Sequence, residues 1–298
     1  MTQDAFGTAA LRAAVLQAWI ASPSRLREDA NTEEDHARGY YRDRVVVELA
    51  QNAADAATRG GVPGHLLLRL STVDGQAVLV AANTGVPLDA DGVTSLASLR
   101  ASAKRDARGA TSPVGRFGVG FAAVRSVADE VAVRSTTGGV RFSLAETTLA
   151  LGALAPSSPA LAAEVARRDG SLPALRLPMP DDVRPPVGYD TAVVLTLRDA
   201  AARDEVHALL SAVGDPLLLA LPALTEIVVE IDVAGESSLR RLADVVARWT
   251  IARGAGTLDL ALLADRPVEE RSARDWRVTW ALPRTESAGA RTGFGGLG

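Results

Sequence analysis

The sequence predicts an α/β (α+β) two-layer sandwich, with a mixed, mostly antiparallel sheet covered by helices on one face. Three observations carry this expectation. Strand-like runs come in hairpin pairs, His65 to Ser71 with Gln76 to Ala82 and Glu130 to Ser135 with Val140 to Leu144, a pattern foreign to parallel doubly wound sheets. Helical patterns gather between these pairs and do not alternate with single strands. The chain of 298 residues, 47% hydrophobic and 23% charged, is long enough for one large core and part of a second.

Taken in order, residues Ala5 to Ala21 read as a helix, with Leu11, Ala14, Val15, Ala18 and Trp19 at helical spacing. Ser22 to Glu34, with Pro23 and scattered charges, reads as a loop, so that 1–34 forms an N-terminal helical arm. A long helix over Asp35 to Arg59 is stopped by Gly60-Gly61 and Pro63. The first hairpin turns at Asp74-Gly75. A turn at Asn83, a short helix over Asp89 to Leu99 and a polar segment to Pro113 come next. A glycine-rich run then opens a helix over Phe117 to Val127, and the second hairpin is expected to turn at Gly138-Gly139. The alanine-rich stretch 146–172 is partly helical, and Pro173 to Pro186 is loop or sheet edge. Thr191 to Leu197 alternates as a strand, a helix lies near Arg203 to Val213, and Glu226 to Asp232 is a further strand. The main domain is thus 35–233, and 234–298 reads as the start of a following domain with a glycine-rich tail.

Composition narrows the function. A net charge of −4 with a pI near 5.5 gives no general affinity for nucleic acid or anionic membranes. The absence of cysteine excludes disulfides, thiolate chemistry and cysteine zinc sites. His36, His65 and His207 lack ligand spacing and read as structural. With no signal-like N-terminus and no long apolar stretch, the expected location is cytoplasmic.

Two features carry chemistry. In the Arg44 to Arg59 helix, Glu48, Asn52 and Asp55 fall at i, i+4 and i+7 and form one polar stripe on an otherwise aliphatic cylinder. The run Gly115-Arg-Phe-Gly-Val-Gly-Phe121 offers free backbone N–H groups at a helix start, a natural phosphate site. Between Arg100 and Arg116 five basic residues face one acid, a local charge of +4 that suits a polyanion. The P-loop, protein-kinase and Gly-x-Ser-x-Gly motifs are absent. The relaxed dinucleotide fingerprint over Gly118 to Ala123 follows a polar loop and not a strand.

ELAQNAADA at Glu48 to Ala56, NTGVP at Asn83 to Pro87 and GRFGVGF at Gly115 to Phe121 together resemble the three nucleotide-binding boxes of the GHKL ATPases (gyrase, ninety-kilodalton heat-shock chaperone, histidine kinase, MutL). With VADEVAV at Val127 to Val133, the pattern is most similar to the chaperone and sacsin branch. This resemblance, covering about Arg44 to Leu197, implies the Bergerat fold, ATP or ADP with Mg2+ as cofactors, and slow hydrolysis of ATP coupled to rearrangement of attached domains. It implies Glu48 as general base and Asn52 as the Mg2+ ligand. Asp55, Asn83, Gly85 and Thr191 would lie on the adenine side. Lys104, the chain's sole lysine, would approach the terminal phosphates, and Gly115, Phe117, Gly118, Val119, Gly120 and Phe121 would form the phosphate box. Expected partners are the adenine nucleotide, a protein client or attached downstream domains, and a second copy in a homodimer, without nucleic acid or membrane. The family's second box reads Asp-x-Gly-x-Gly; here Asn83 replaces the aspartate and Pro87 the last glycine, so the adenine amino group would meet an uncharged acceptor. A non-catalytic ATP- or ADP-binding regulatory or scaffold module is the alternative. A histidine kinase lacks a suitable histidine, and a DNA-processing ATPase conflicts with the acidic balance.

Overall fold

The computed structural model describes residues 4–38, 44–98, 120–233, 235–266, 271 and 274–284. The chain divides into two compact units, Met1–Ala243 and Asp244–Gly298.

The first unit is built on an eight-stranded sheet: β1 (Gly64–Val73), β2 (Gln76–Asn83), β3 (Ala128–Ser135), β4 (Gly138–Ser143), β5 (Met179–Asp181), β6 (Thr191–Leu197), β7 (Leu224–Val233) and β8 (Glu236–Ala243). Their spatial order is β5-β4-β3-β6-β2-β1-β7-β8. Every neighbouring pair is antiparallel except β1 with β7. Mixed α/β architecture with a mostly antiparallel sheet is therefore what the sequence folds into.

Register explains the core. Leu66, Leu68 and Leu70 of β1 pair with Asn83, Ala81 and Leu79 of β2, and the last three pair in turn with Thr191, Val193 and Leu195 of β6. All of these are buried, so one face of the sheet is continuously aliphatic and closes in a polar row at one end. On this side lie α3 (Val45–Gly60) and α7 (Ala200–Ala212), which pack on each other as well as on β1 and β2. Ala53 and Ala57 give α3 a smooth buried face, and Asp199 caps α7 by accepting from the Ala202 amide at 2.8 Å. The opposite sheet face carries a small cluster, Leu67, Ala82 and Ala192, flanked by partly buried Val80, Val194 and Val228.

A second core joins α1 (Thr8–Ala21), α2 (Pro23–Arg38), α5 (Leu144–Leu154) and α6 (Pro159–Arg168) around Trp19, Leu26, Leu151 and Leu161. Ser143 and Glu146 supply the Ser-x-x-Glu start of α5, the serine oxygen accepting the Glu146 amide. The remaining helices of this unit are α4 (Ala90–Ser98) and α8 (Asp215–Ala220), the latter packing on β7 and β8.

Several expectations change. Ser22 to Glu34 is not a loop but most of α2: Pro23 sits in its first turn, where no amide is needed, and Leu26, Ala30 and Glu33 at i, i+4 and i+7 are buried. Charge density hid that stripe. Of the helix expected over Asp35 to Arg59, the described parts are the end of α2, to Arg38, and α3, from Val45, and 39–43 lie outside the described residues. The second hairpin turns at 136–137, because Ser135 pairs with Gly138 and both glycines belong to β4. The glycine run leads into a 3-10 turn, Gly120–Ser126, where an α-helix over Phe117 to Val127 was expected. Ser126 Oγ bonding back to the Ala123 carbonyl marks its tight end. The stretch after 234 does not leave the sheet at once, since β8 pairs with β7 through Ala243.

The second unit holds α9 (Val245–Arg248) and an antiparallel ribbon of β9 (Trp249–Thr257) with β10 (Asp275–Pro283). No helix among the described residues is long and apolar enough to cross a membrane.

Candidate functional site

The polar row ending the aliphatic sheet face is the starting point. Asn83 stands opposite Thr191, and Thr191 opposite Ser135, on the adjacent strands β2, β6 and β3. Polar side chains on a core-facing surface persist only when bonded. Ser135 Oγ accepts from the Leu88 amide at 3.0 Å, donates to the Asp190 carbonyl at 3.0 Å and lies 3.2 Å from Thr191 Oγ1. Asn83 Nδ2 donates to the Thr84 carbonyl at 3.1 Å, which aims its Oδ1 away from that carbonyl as an acceptor.

Above this row passes α3. Asn52 and Arg59 of α3, Asn83 of β2 and Thr191 of β6 line one pocket, closed by Val86 to Asp89. It encloses about 20 Å³, room for a water molecule. The 86–89 wall is held at several points, among them Leu88, whose amide meets Ser135 and whose carbonyl accepts from Thr137 Oγ1 at 2.5 Å. The Val86 amide donates to the Ala56 carbonyl of α3 at 3.0 Å, and the Gly85 amide to Asp190 Oδ2 at 2.9 Å. Gly85 has φ +133°, and a Cβ there would stand 2.4 Å from the Ala56 backbone carbon, so only glycine lets the turn touch the helix.

Electrostatics on α3 are unusual. Asp55 is only 7% exposed, and its Oδ2 is buried without a hydrogen-bond partner. Burial pushes its carboxyl up to about 7, and Arg59 one turn on only partly opposes this. Glu48, half-buried, is likewise raised by burial and lowered less by Arg44. Its carboxylate is therefore a stronger base than an exposed one. Asn52 is half-buried and its amide makes no hydrogen bond among the described residues.

Of the residues singled out from sequence, Asn52, Asn83 and Thr191 meet in one pocket, with Gly85 against its wall. Glu48 and Asp55 share the helix but do not line that pocket. Gly120 opens the 3-10 turn and Phe121 is buried. Lys104, Gly115, Phe117, Gly118 and Val119 lie outside the described residues. Sequence reasoning passed over Ser135, Asp190 and Arg59. Arg59 was legible, being one helical turn past Asp55, whereas Ser135 and Asp190 act only through strand pairing. Among the described residues no group of three His, Cys, Asp or Glu is placed to hold a metal.

A much larger cavity, about 450 Å³, lies elsewhere, among Glu33, Glu34, Arg125, Asp129 and Arg198. Its charges are mutually paired: Arg125 and Arg198 both hold Asp129, at 2.5 and 2.8 Å. Those charges are spent on one another, and the smaller pocket, lined by the half-buried Asn52 together with Asn83 and Thr191, is the better candidate. No protein-family model matches this chain, and no curated protein is significantly similar to it.

Proposed function

We propose that this chain binds an adenine nucleotide in the pocket between α3 and the ends of β2 and β6. In this reading it is the ATP-binding domain of a GHKL-type ATPase of chaperone or sacsin kind, with a Bergerat fold. The observation that carries the reading is the convergence on one pocket of Asn52 and Asn83, from the first two boxes of the resemblance, with Thr191, which opens the later strand.

The roles follow from chemistry. Asn83 Oδ1, left as an acceptor by the bond of Nδ2 to Thr84, would take the adenine amino group, with Thr191 Oγ1 beside it. Asn52, whose amide is unspent, would meet Mg2+ through its oxygen, the phosphates supplying most other ligands as usual for this ion. Bound there, Mg2+ would neutralise charge on the transferring phosphoryl group. Glu48, one turn before Asn52 and with its basicity raised by burial, would orient and deprotonate the attacking water. The glycine run, of which Gly120 and Phe121 are described, would hold the phosphates.

The uncharged Asn83 and Pro87 in place of the resemblance's aspartate and last glycine favour a second reading, a nucleotide-binding regulatory or scaffold module with little turnover. One pair of measurements separates them. ADP with Mg2+ at about a hundred times its dissociation constant should add roughly 2.7 kcal/mol of stability in a thermal shift. ATP hydrolysis should then fall to background in Glu48→Ala. Equal rates in wild type and variant, with binding retained, overturn the ATPase and leave the module; absence of any shift overturns both.

A further inference from the structure

We infer that Ser135 of β3 is a positioning residue that sets base specificity: by fixing the direction of the Thr191 hydroxyl, it makes this end of the pocket select a 6-aminopurine over a 6-oxopurine. This rests on the nucleotide reading above.

A serine hydroxyl has one proton to give and two lone pairs to receive with, so its contacts can be counted. Ser135 is fully buried. The Leu88 amide at 3.0 Å can only donate to it, which takes one lone pair, and the Asp190 carbonyl at 3.0 Å can only accept from it, which takes the proton. Thr137 Oγ1 lies at 3.4 Å, and its own proton goes to the closer Leu88 carbonyl at 2.5 Å. What is left for Thr191 Oγ1, 3.2 Å away, is the second lone pair of Ser135. Thr191 is therefore the donor of that pair. The reverse assignment would leave Ser135 and the Asp190 carbonyl, two oxygens 3.0 Å apart, with no proton between them, a repulsive contact at a position shut off from solvent.

Thr191 lines the pocket, and with its proton committed to Ser135 its hydroxyl can only accept from a ligand. Asn83 stands opposite it on β2, and its Oδ1 is likewise an acceptor, since Nδ2 donates to the Thr84 carbonyl. Side chains directly opposite on antiparallel strands have Cβ atoms about 4.5–5.5 Å apart, close enough for one ligand group to meet both. An amino group, with two N–H, satisfies both acceptors, whereas a carbonyl oxygen in the same place satisfies neither. Sites built to receive a hydrogen bond reject an analogue that cannot make it, because their own buried polar groups are then left unpaired. Ser135 does not itself line the pocket and reads the base through Thr191. Its other task, holding the Leu88 amide, shapes the wall for any purine alike.

The test compares ADP with IDP, whose bases carry an amino and an oxo group at position 6, each with Mg2+, by titration calorimetry on the full chain. Wild type should bind ADP at least about a hundredfold more tightly than IDP. In Ser135→Ala the Thr191 hydroxyl is free to turn its proton towards the oxo group, and the preference for ADP should fall about tenfold. A role in the wall alone would weaken both ligands by one factor and leave the preference at its wild-type value, and that result overturns the inference. Thr191→Val keeps the shape and removes the hydroxyl. It should lower the preference by a similar factor and serves if Ser135→Ala does not fold; an unchanged preference there overturns the inference as well. Wild-type protein that binds ADP and IDP equally overturns it while leaving the nucleotide reading in place, whereas wild-type protein that binds neither overturns the nucleotide reading itself.

Discussion

Glu33 and Asp55 are both carboxylates buried beneath a helix, and they differ in what surrounds them. Glu33 has two backbone amides and two arginines; Asp55 has one oxygen with no partner and a single arginine a turn away. Burial raises both above the ordinary carboxylate range. A buried charge surrounded by donors organises structure, whereas one left short of donors is a cost that a fold carries for another reason. Glu33 belongs to the frame of this protein, and Asp55 lies on the helix that carries the candidate site without lining its pocket.

Removing each acid should therefore have opposite effects. Glu33→Ala strands the buried Ala174 and Leu175 amides and leaves Arg125 to Asp129 and Arg176 to Asp29, and should cost about 3–5 kcal/mol, read as a lower urea midpoint. Gly85→Ala drives a methyl group into the Ala56 backbone and should cost about 3 kcal/mol or more, against almost nothing for a glycine with open space such as Gly152→Ala.

Asp55→Asn should stabilise the ligand-free chain by about 1–3 kcal/mol at pH 8. The sign follows from linkage. The folded carboxyl, at about 7 against an ordinary 3.8, holds its proton in a range where the unfolded one has lost it. Its contribution to stability is fully present below about 3.8, is lost as pH rises to about 7, and is flat above. The gain from Asp55→Asn should grow across that window and level off, and a gain independent of pH would show that Asp55 is not the titrating group. Smallest is the effect at the surface, where Glu236 meets His207 at 2.9 Å: Glu236→Ala should change stability by less than about 0.5 kcal/mol at pH 7.

Much of this was legible in the chain. Alternation over Thr191 to Leu197 and the Asp74-Gly75 turn, both residues with positive φ, are local and were read as they fold. The stripe on α3 was visible because a helical period needs no partner to be seen. α2 was missed because a helix that, among its described side chains, buries Leu26, Ala30 and Glu33 carries too faint an apolar pattern to stand out among its charges. The turn at 136–137 was missed because two neighbouring glycines looked like the natural corner, whereas strand register put them inside β4.

Sequence alone determined which side chains could do chemistry and their order: an acid, an amide and an acid one turn apart, then an asparagine turn, a glycine run and a threonine opening a strand. Local periodicity suffices for that, since it depends on neighbours a few residues apart. Only the tertiary structure decided that Asn52, Asn83 and Thr191 share a pocket, that Asp55 keeps an orphaned oxygen, and that Glu33 is tied to the turn after Gly120. Those facts depend on strand register and on which helix covers which end of the sheet, and both are settled by burying the whole aliphatic face at once.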